Sequence, residues 1–123
     1  MDKGYIVAIE QETKDNTDFR RVLYTAKHSQ LVLMSLKPGE EIGEETHQVD
    51  QFIRMEIGHG KAVLNGVEHK LAQDSAGVIP AGTKHNIINS DQGEMKLYTV
   101  YAPPEHKDGT VHKTKAEAEK AEE

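Results

Sequence analysis

An all-β domain, folded as a sandwich or barrel, is what this sequence predicts, and three observations predict it. Short runs rich in β-branched and aromatic residues recur along most of the chain. Turn signals separate them every eight to twelve residues or so, a spacing that favours antiparallel sheets over βαβ units. Asn65-Gly66, flanked by Lys61–Leu64 and Val67–Leu71, is a strong hairpin signal, because both residues accept the positive φ of a tight turn.

In chain order, Tyr5–Ile9, Val22–Thr25 and Gln30–Leu36 read as strands, with Asp15-Asn16-Thr17-Asp18 as a loop. Pro38-Gly39 predicts a type II turn, since Pro presets one central φ and Gly accepts φ > 0 at the next. Gln51–Ile57 alternates, with Gln51, Ile53, Met55 and Ile57 on one face and Phe52, Arg54 and Glu56 on the other. Ala76–Ile79, His85–Asn89 and Met95–Ala102 bring the expectation to roughly nine or ten strands. Pro103–Thr110 reads as an irregular connection. Thr114-Lys115-Ala116-Glu117 then fits a capping box, and the near absence of an apolar face predicts a short exposed helix or a frayed tail.

The 123 residues suit a single domain with one core. A formal net charge of −6 argues against nucleic acid as a partner, for which a basic stripe is expected. With no cysteine, disulfides, thiolate metal sites and cysteine nucleophiles are excluded. No apolar run reaches membrane-spanning length, and Met1-Asp2-Lys3-Gly4-Tyr5 has no secretory apolar region, so a cytoplasmic protein without a membrane partner is expected.

The residues that carry chemistry lie in two segments. Pro80, Gly82, His85 and Asn89 form P-x-G-x-x-H-x-x-x-N. Upstream, Gly39, Glu45, His47, Gln51 and Gly58 follow at fixed intervals. In order and spacing the two resemble the paired motifs of the cupin superfamily, G-x5-H-x-H-x3/4-E-x6-G and G-x5-P-x-G-x-x-H-x3-N. The likeness runs over residues 38–89. Three positions depart from it: Glu45 replaces the first His, Gln51 replaces the Glu, and Asp74 replaces the first Gly of the second motif. Asp and Gly share turn preferences, so the last change is mild.

The resemblance implies a cupin-type β-barrel (a double-stranded β-helix, or jelly roll) with a short C-terminal helix. It fills residues 1–123 as one cupin domain, with a barrel core at about 19–102 and a C-terminal extension at 103–123. It also implies one divalent first-row metal ion held by Glu45, His47, Gln51 and His85. Residues two apart on a strand share a face, which independently puts Glu45 beside His47, and Gln51 shares the expected interior face with Ile53 and Met55. Two imidazoles, a carboxylate and an amide oxygen suit Mn, Fe, Ni or Zn better than Mg or Ca. The competing reading is a structural role for the histidines and a solvated Glu45 within the acidic run from Glu40 to Glu45. His28, His59, His69, His106 and His112 read as surface or loop residues, although His28, Tyr98 and Tyr101 could reach the mouth of a small barrel.

Phrases such as Leu36–Gly43, Asp50–Arg54 and Pro80–Asn89 are similar to small single-domain cupins likened to mannose-6-phosphate isomerase. That likeness implies a sugar or sugar-phosphate isomerase working through a metal-stabilised enediolate, on an oxygen-rich or anionic small molecule. Related cupins that open unsaturated uronates carry Gln at the third ligand position. The alternatives are a metal-dependent dioxygenase, for which His47, His85 and Glu45 supply two His and one carboxylate, and a non-catalytic small-molecule-binding module. No Gly-rich phosphate loop is present. A homodimer is expected by analogy with cupins.

Overall fold

The computed structural model describes residues 3–121, so Met1 and Asp2 of the N-terminal reading lie outside the described residues, as do Glu122 and Glu123. Ten strands and two short helices run in the order α1 (Ile9–Asp15), β1 (Arg20–Thr25), β2 (Gln30–Leu36), β3 (Glu45–Thr46), β4 (Asp50–Ile57), β5 (Gly60–Leu64), β6 (Val67–Leu71), β7 (Ala76–Ile79), β8 (Lys84–Ile88), β9 (Met95–Ala102), β10 (Val111–His112) and α2 (Lys115–Ala121). A six-stranded sheet of order β10-β1-β2-β9-β4-β7 faces a four-stranded sheet of order β3-β8-β5-β6. Pairing is antiparallel throughout. The core between them includes Met34, Leu36, Ile53, Met55, Ile87 and Leu97, each nearly inaccessible to solvent. None of the described helices is long and apolar enough to cross a membrane.

The turn chemistry acts as the sequence predicts. Asn65 and Gly66 both take positive φ (49° and 83°) between β5 and β6. Gly39 has φ 78°, and the Glu40 amide closes the Pro38-Gly39 turn on the Lys37 carbonyl at 2.9 Å. Asp74 has φ 69°, so it occupies the left-handed conformation for which the motif uses glycine, and its carboxylate takes a hydrogen bond from Arg54 at 3.2 Å. Gly58 cannot be replaced as easily. Its φ is 94°, and a Cβ there would collide with the Glu94 carbonyl oxygen.

Two expectations need correction. Tyr5–Ile9 is not a strand: Tyr5 stacks on Tyr24 with ring centroids 5.2 Å apart, and Ile9 begins α1. That helix has one buried residue, Thr13, which leaves almost no apolar period to read. Lys96 secures it, donating from a buried ammonium to the carbonyls of Lys14 and Asn16 at 3.0 and 2.7 Å. Second, the alternation in β4 holds from Gln51 to Met55 and breaks at a bulge between Met55 and Ile57, so Glu56 is buried rather than outward. The short C-terminal helix is present as α2, mostly exposed, with Ala118 buried. Thr114 Oγ1 caps it by accepting from the Glu117 amide at 3.1 Å, and Ala118 joins the core at 4 % exposure. After the irregular segment, β10 joins the larger sheet, pairing Val111 with Arg21 and His112 with Arg20.

Candidate metal centre

The two motif segments are joined by their backbones before any side chain is considered. Gly39 N donates to Asn89 O at 3.0 Å and Asn89 N to Glu40 O at 2.9 Å, tying the start of the first to the end of the second. At the other end, Gly82 N donates to His47 O at 2.8 Å. Between these ties, β3 pairs with β8 so that Glu45 lies directly opposite His85. Gln51 enters from the other sheet, opposite Tyr101 on β9. Asn89 itself is structural. It is fully buried, and its amide nitrogen approaches the carbonyls of Leu36, Lys37 and Gly93 at 2.9 to 3.1 Å.

Ligand-capable atoms of Glu45, His47 and His85 all lie within 4.8 Å of one another. His47 Nε2 is 3.5 Å from Glu45 Oε1 and 3.8 Å from Glu105 Oε2. The His47 and His85 rings meet edge to face at 5.0 Å. His85 Nδ1 donates to the Thr83 carbonyl at 2.8 Å, so in the neutral tautomer that binds a metal the lone pair belongs to Nε2. Gln51 is 3 % exposed; its Nε2 donates weakly to the Tyr101 hydroxyl at 3.4 Å, while its Oε1 is buried without a partner.

These features suit a divalent cation. Burial pushes the Glu45 carboxyl up, but the hydrogen bond with His47 and the positive charges of His47, Arg20 and His85 outweigh it and hold it below its ordinary range. The hydrogen bond to Glu45 raises His47 above the usual imidazole value, against the opposing effect of burial, with Glu45 and Glu105 charges adding to the rise. A carboxylate oxygen, an imidazole whose Nδ1 is tied to main chain and an orphaned amide oxygen are therefore gathered in one place. A cation would satisfy all three. The Glu/His/His cluster thus has the make-up of a divalent metal site.

The surroundings include Tyr101, which the sequence offered as a residue able to reach the barrel mouth, and others that the sequence left on the surface or did not single out. Tyr101 is 2 % exposed and packs edge to face on His47 at 5.7 Å and on His106 at 5.1 Å. Burial raises its hydroxyl far above the ordinary phenol value, so it stays protonated. His106 is half-buried, and its Nε2 is buried without a partner. Burial, helped by the charge of Arg20, pulls it down to about 4, so it is neutral at physiological pH. Gln30, itself 1 % exposed, holds this segment in place: its Oε1 accepts from the amides of Glu105 and His106, and its Nε2 donates to the His106 carbonyl at 2.7 Å. No periodic pattern in Pro103–Thr110 announces this, because the segment is irregular and is fixed by a glutamine more than seventy residues upstream. Tyr98 points away, packing on Phe52 at 6.3 Å, and His28, His59 and His69 are exposed.

Comparison with known proteins agrees with this layout. Residues 32–101 match the family described as the cupin domain. YrkC of Bacillus subtilis (strain 168) is 50 % identical over 128 aligned positions, covering 98 % of this chain and 68 % of YrkC. L612 of Acanthamoeba polyphaga mimivirus is 46 % identical, covering 87 % of this chain and 70 % of L612. The crystal structure of BH2720 from Bacillus halodurans superposes with a TM-score of 0.94 at 45 % identity, over 96 % of this chain and 95 % of that one.

Proposed function

This chain belongs to the cupin family, and we propose that it is a metal-dependent isomerase of small, oxygen-rich anionic molecules, with Glu45, His47, Gln51 and His85 as its ligands. One observation carries the reading: the donor atoms of Glu45, His47 and His85 lie within 4.8 Å of one another. The orphaned Gln51 Oε1 supports the fourth position. A divalent ion bound there would polarise a substrate carbonyl and make the neighbouring carbon and hydroxyl more acidic.

The remaining chemistry falls to the protein. Isomerisation moves a proton between adjacent carbons, so it needs a base close to the ligands and open to substrate. Glu105 meets both needs, with its carboxylate 3.8 Å from His47 Nε2 and its side chain 29 % exposed. The Tyr101 hydroxyl, kept protonated by burial, can donate to an oxygen on which negative charge develops. Neutral His106, packed on Tyr101, can pass a proton in either direction.

A second reading, an iron-dependent dioxygenase, is favoured by the same triad, which comprises two imidazoles and one carboxylate. Incubating the metal-loaded protein with a panel of aldoses, sugar phosphates and sugar acids in D2O separates the two. The isomerase incorporates deuterium at the carbon beside the carbonyl without consuming oxygen, and Glu105→Gln loses that exchange. Oxygen consumption with Fe²⁺ and no deuterium incorporation would favour the dioxygenase instead.

A further inference from the structure

Arg20, the first residue of β1, is 3 % exposed, yet its guanidinium forms no ion pair among the described residues. Its Nη1 donates to His112 Nδ1 at 3.3 Å, and its Cζ lies 5.4 Å from the Phe19 ring centroid. Nε is buried and has no partner at all. Arginine in a protein interior cannot shed its proton, so a buried guanidinium with an open edge calls for an anion. Arg20 lies on the same face of the larger sheet as Tyr101 and Gln51, since it pairs with Met34, Met34 with Leu97 and Leu97 with Met55, and Tyr101 and Gln51 follow at even intervals along β9 and β4. Two residues with orphaned atoms adjoin Tyr101 on that face: His106 packs on its ring at 5.1 Å and Gln51 reaches its hydroxyl at 3.4 Å.

We propose that Arg20 is the substrate-binding residue that grips a carboxylate, and that the site takes a small hydroxylated monocarboxylic acid. This deepens the isomerase reading by naming the class of molecule it acts on. The planar guanidinium edge matches a carboxylate with two parallel hydrogen bonds, and His112 already occupies Nη1, leaving the Nε edge to the ligand. Charge favours one negative group over two. A divalent ion and Arg20 supply three positive charges, Glu45 and Glu105 cancel two, and a monocarboxylate cancels the one that remains.

D-gluconate and D-sorbitol isolate the effect, since they share their hydroxyls and differ in the carboxylate. Calorimetric titration of the Mn²⁺-loaded protein should give at least about ten-fold tighter binding of gluconate, with inorganic phosphate weaker than gluconate. Arg20→Gln should bring gluconate to parity with sorbitol while Mn²⁺ affinity is retained. Arg20→Lys keeps the charge and loses the fork, so it should lose most of the preference, and it serves if Arg20→Gln does not fold. Repeating the titration on chelator-treated protein separates the two ideas. An Arg20-dependent gluconate preference that persists in a protein unable to bind Mn²⁺ would sink the metal site and keep the clamp. Equal binding of gluconate and sorbitol by the wild type, no binding of either, or a preference unchanged in both variants would overturn the clamp. A change in melting temperature alone, with the preference intact, would mean a structural arginine and would overturn it equally.

Discussion

The amide of Gly82 donates to the carbonyl of His47 at 2.8 Å, so the two segments of the site are pinned through main chain rather than through their candidate ligands. The Gly39–Asn89 pair repeats the arrangement at the other end. Side chains can therefore be changed at Glu45, Gln51 or His85 without removing the bonds that bring β3 and β8 together. Loss of metal in such variants would then report on coordination and not on unfolding.

Asn89 is the exception, because its side chain maintains the frame. Replacing it with Ala would take the amide donor from the buried carbonyl of Leu36 and the part-buried carbonyls of Lys37 and Gly93. Asn89→Ala should lower stability by about 2–3 kcal/mol in urea unfolding, with the slope unchanged. A change below about 0.5 kcal/mol would mean that water replaces the amide at no loss.

Gln51→Leu should have opposite effects on the free and metal-bound protein. Without metal, a buried orphan oxygen disappears at nearly constant volume, so the melting temperature should hold or rise. With saturating Mn²⁺, the stabilisation gained on binding should shrink, because one donor is gone. Thermal melts with and without metal test this. An undiminished metal-induced gain would remove Gln51 from the ligand set.

His106 sets a pH dependence. Its folded value, about 4, lies below the ordinary imidazole value of 6.5, so the unfolded chain binds the proton more readily. Its contribution to stability is complete above pH 6.5 or so and is lost as pH falls toward 4. The groups acting on it are Arg20, Glu45, His47 and His112. In chelator-treated protein, the melting temperature should fall across that window, and His106→Asn should flatten the fall. Identical pH profiles for the two proteins would contradict the assignment.

Residue chemistry that acts locally was legible in the sequence. Asn65-Gly66 and Pro38-Gly39 specify their turns by φ alone, and the two-residue period of a strand put Glu45 beside His47 and aimed Gln51 inward. Helix α1 was hidden because its one buried residue is a threonine, and the β4 bulge because an inserted residue breaks the alternation that would reveal it. The placement of Glu105, His106 and Arg20 was hidden for another reason. Glu105 and His106 are placed by Gln30, and Arg20 by pairing of β1 with β10, contacts between residues far apart in sequence with no local pattern. His106, read as a surface residue, was corrected by those same contacts.

Equilibrium Mn²⁺ and Zn²⁺ titration of wild type and Glu45→Ala, read as metal bound per chain by elemental analysis, decides whether the Glu/His/His cluster holds a metal. One equivalent is expected for the wild type. Glu45→Ala should bind at least about 100-fold more weakly, with circular dichroism unchanged. A Glu45→Ala protein that binds one equivalent with wild-type affinity would contradict the ligand set built around Glu45, His47, Gln51 and His85.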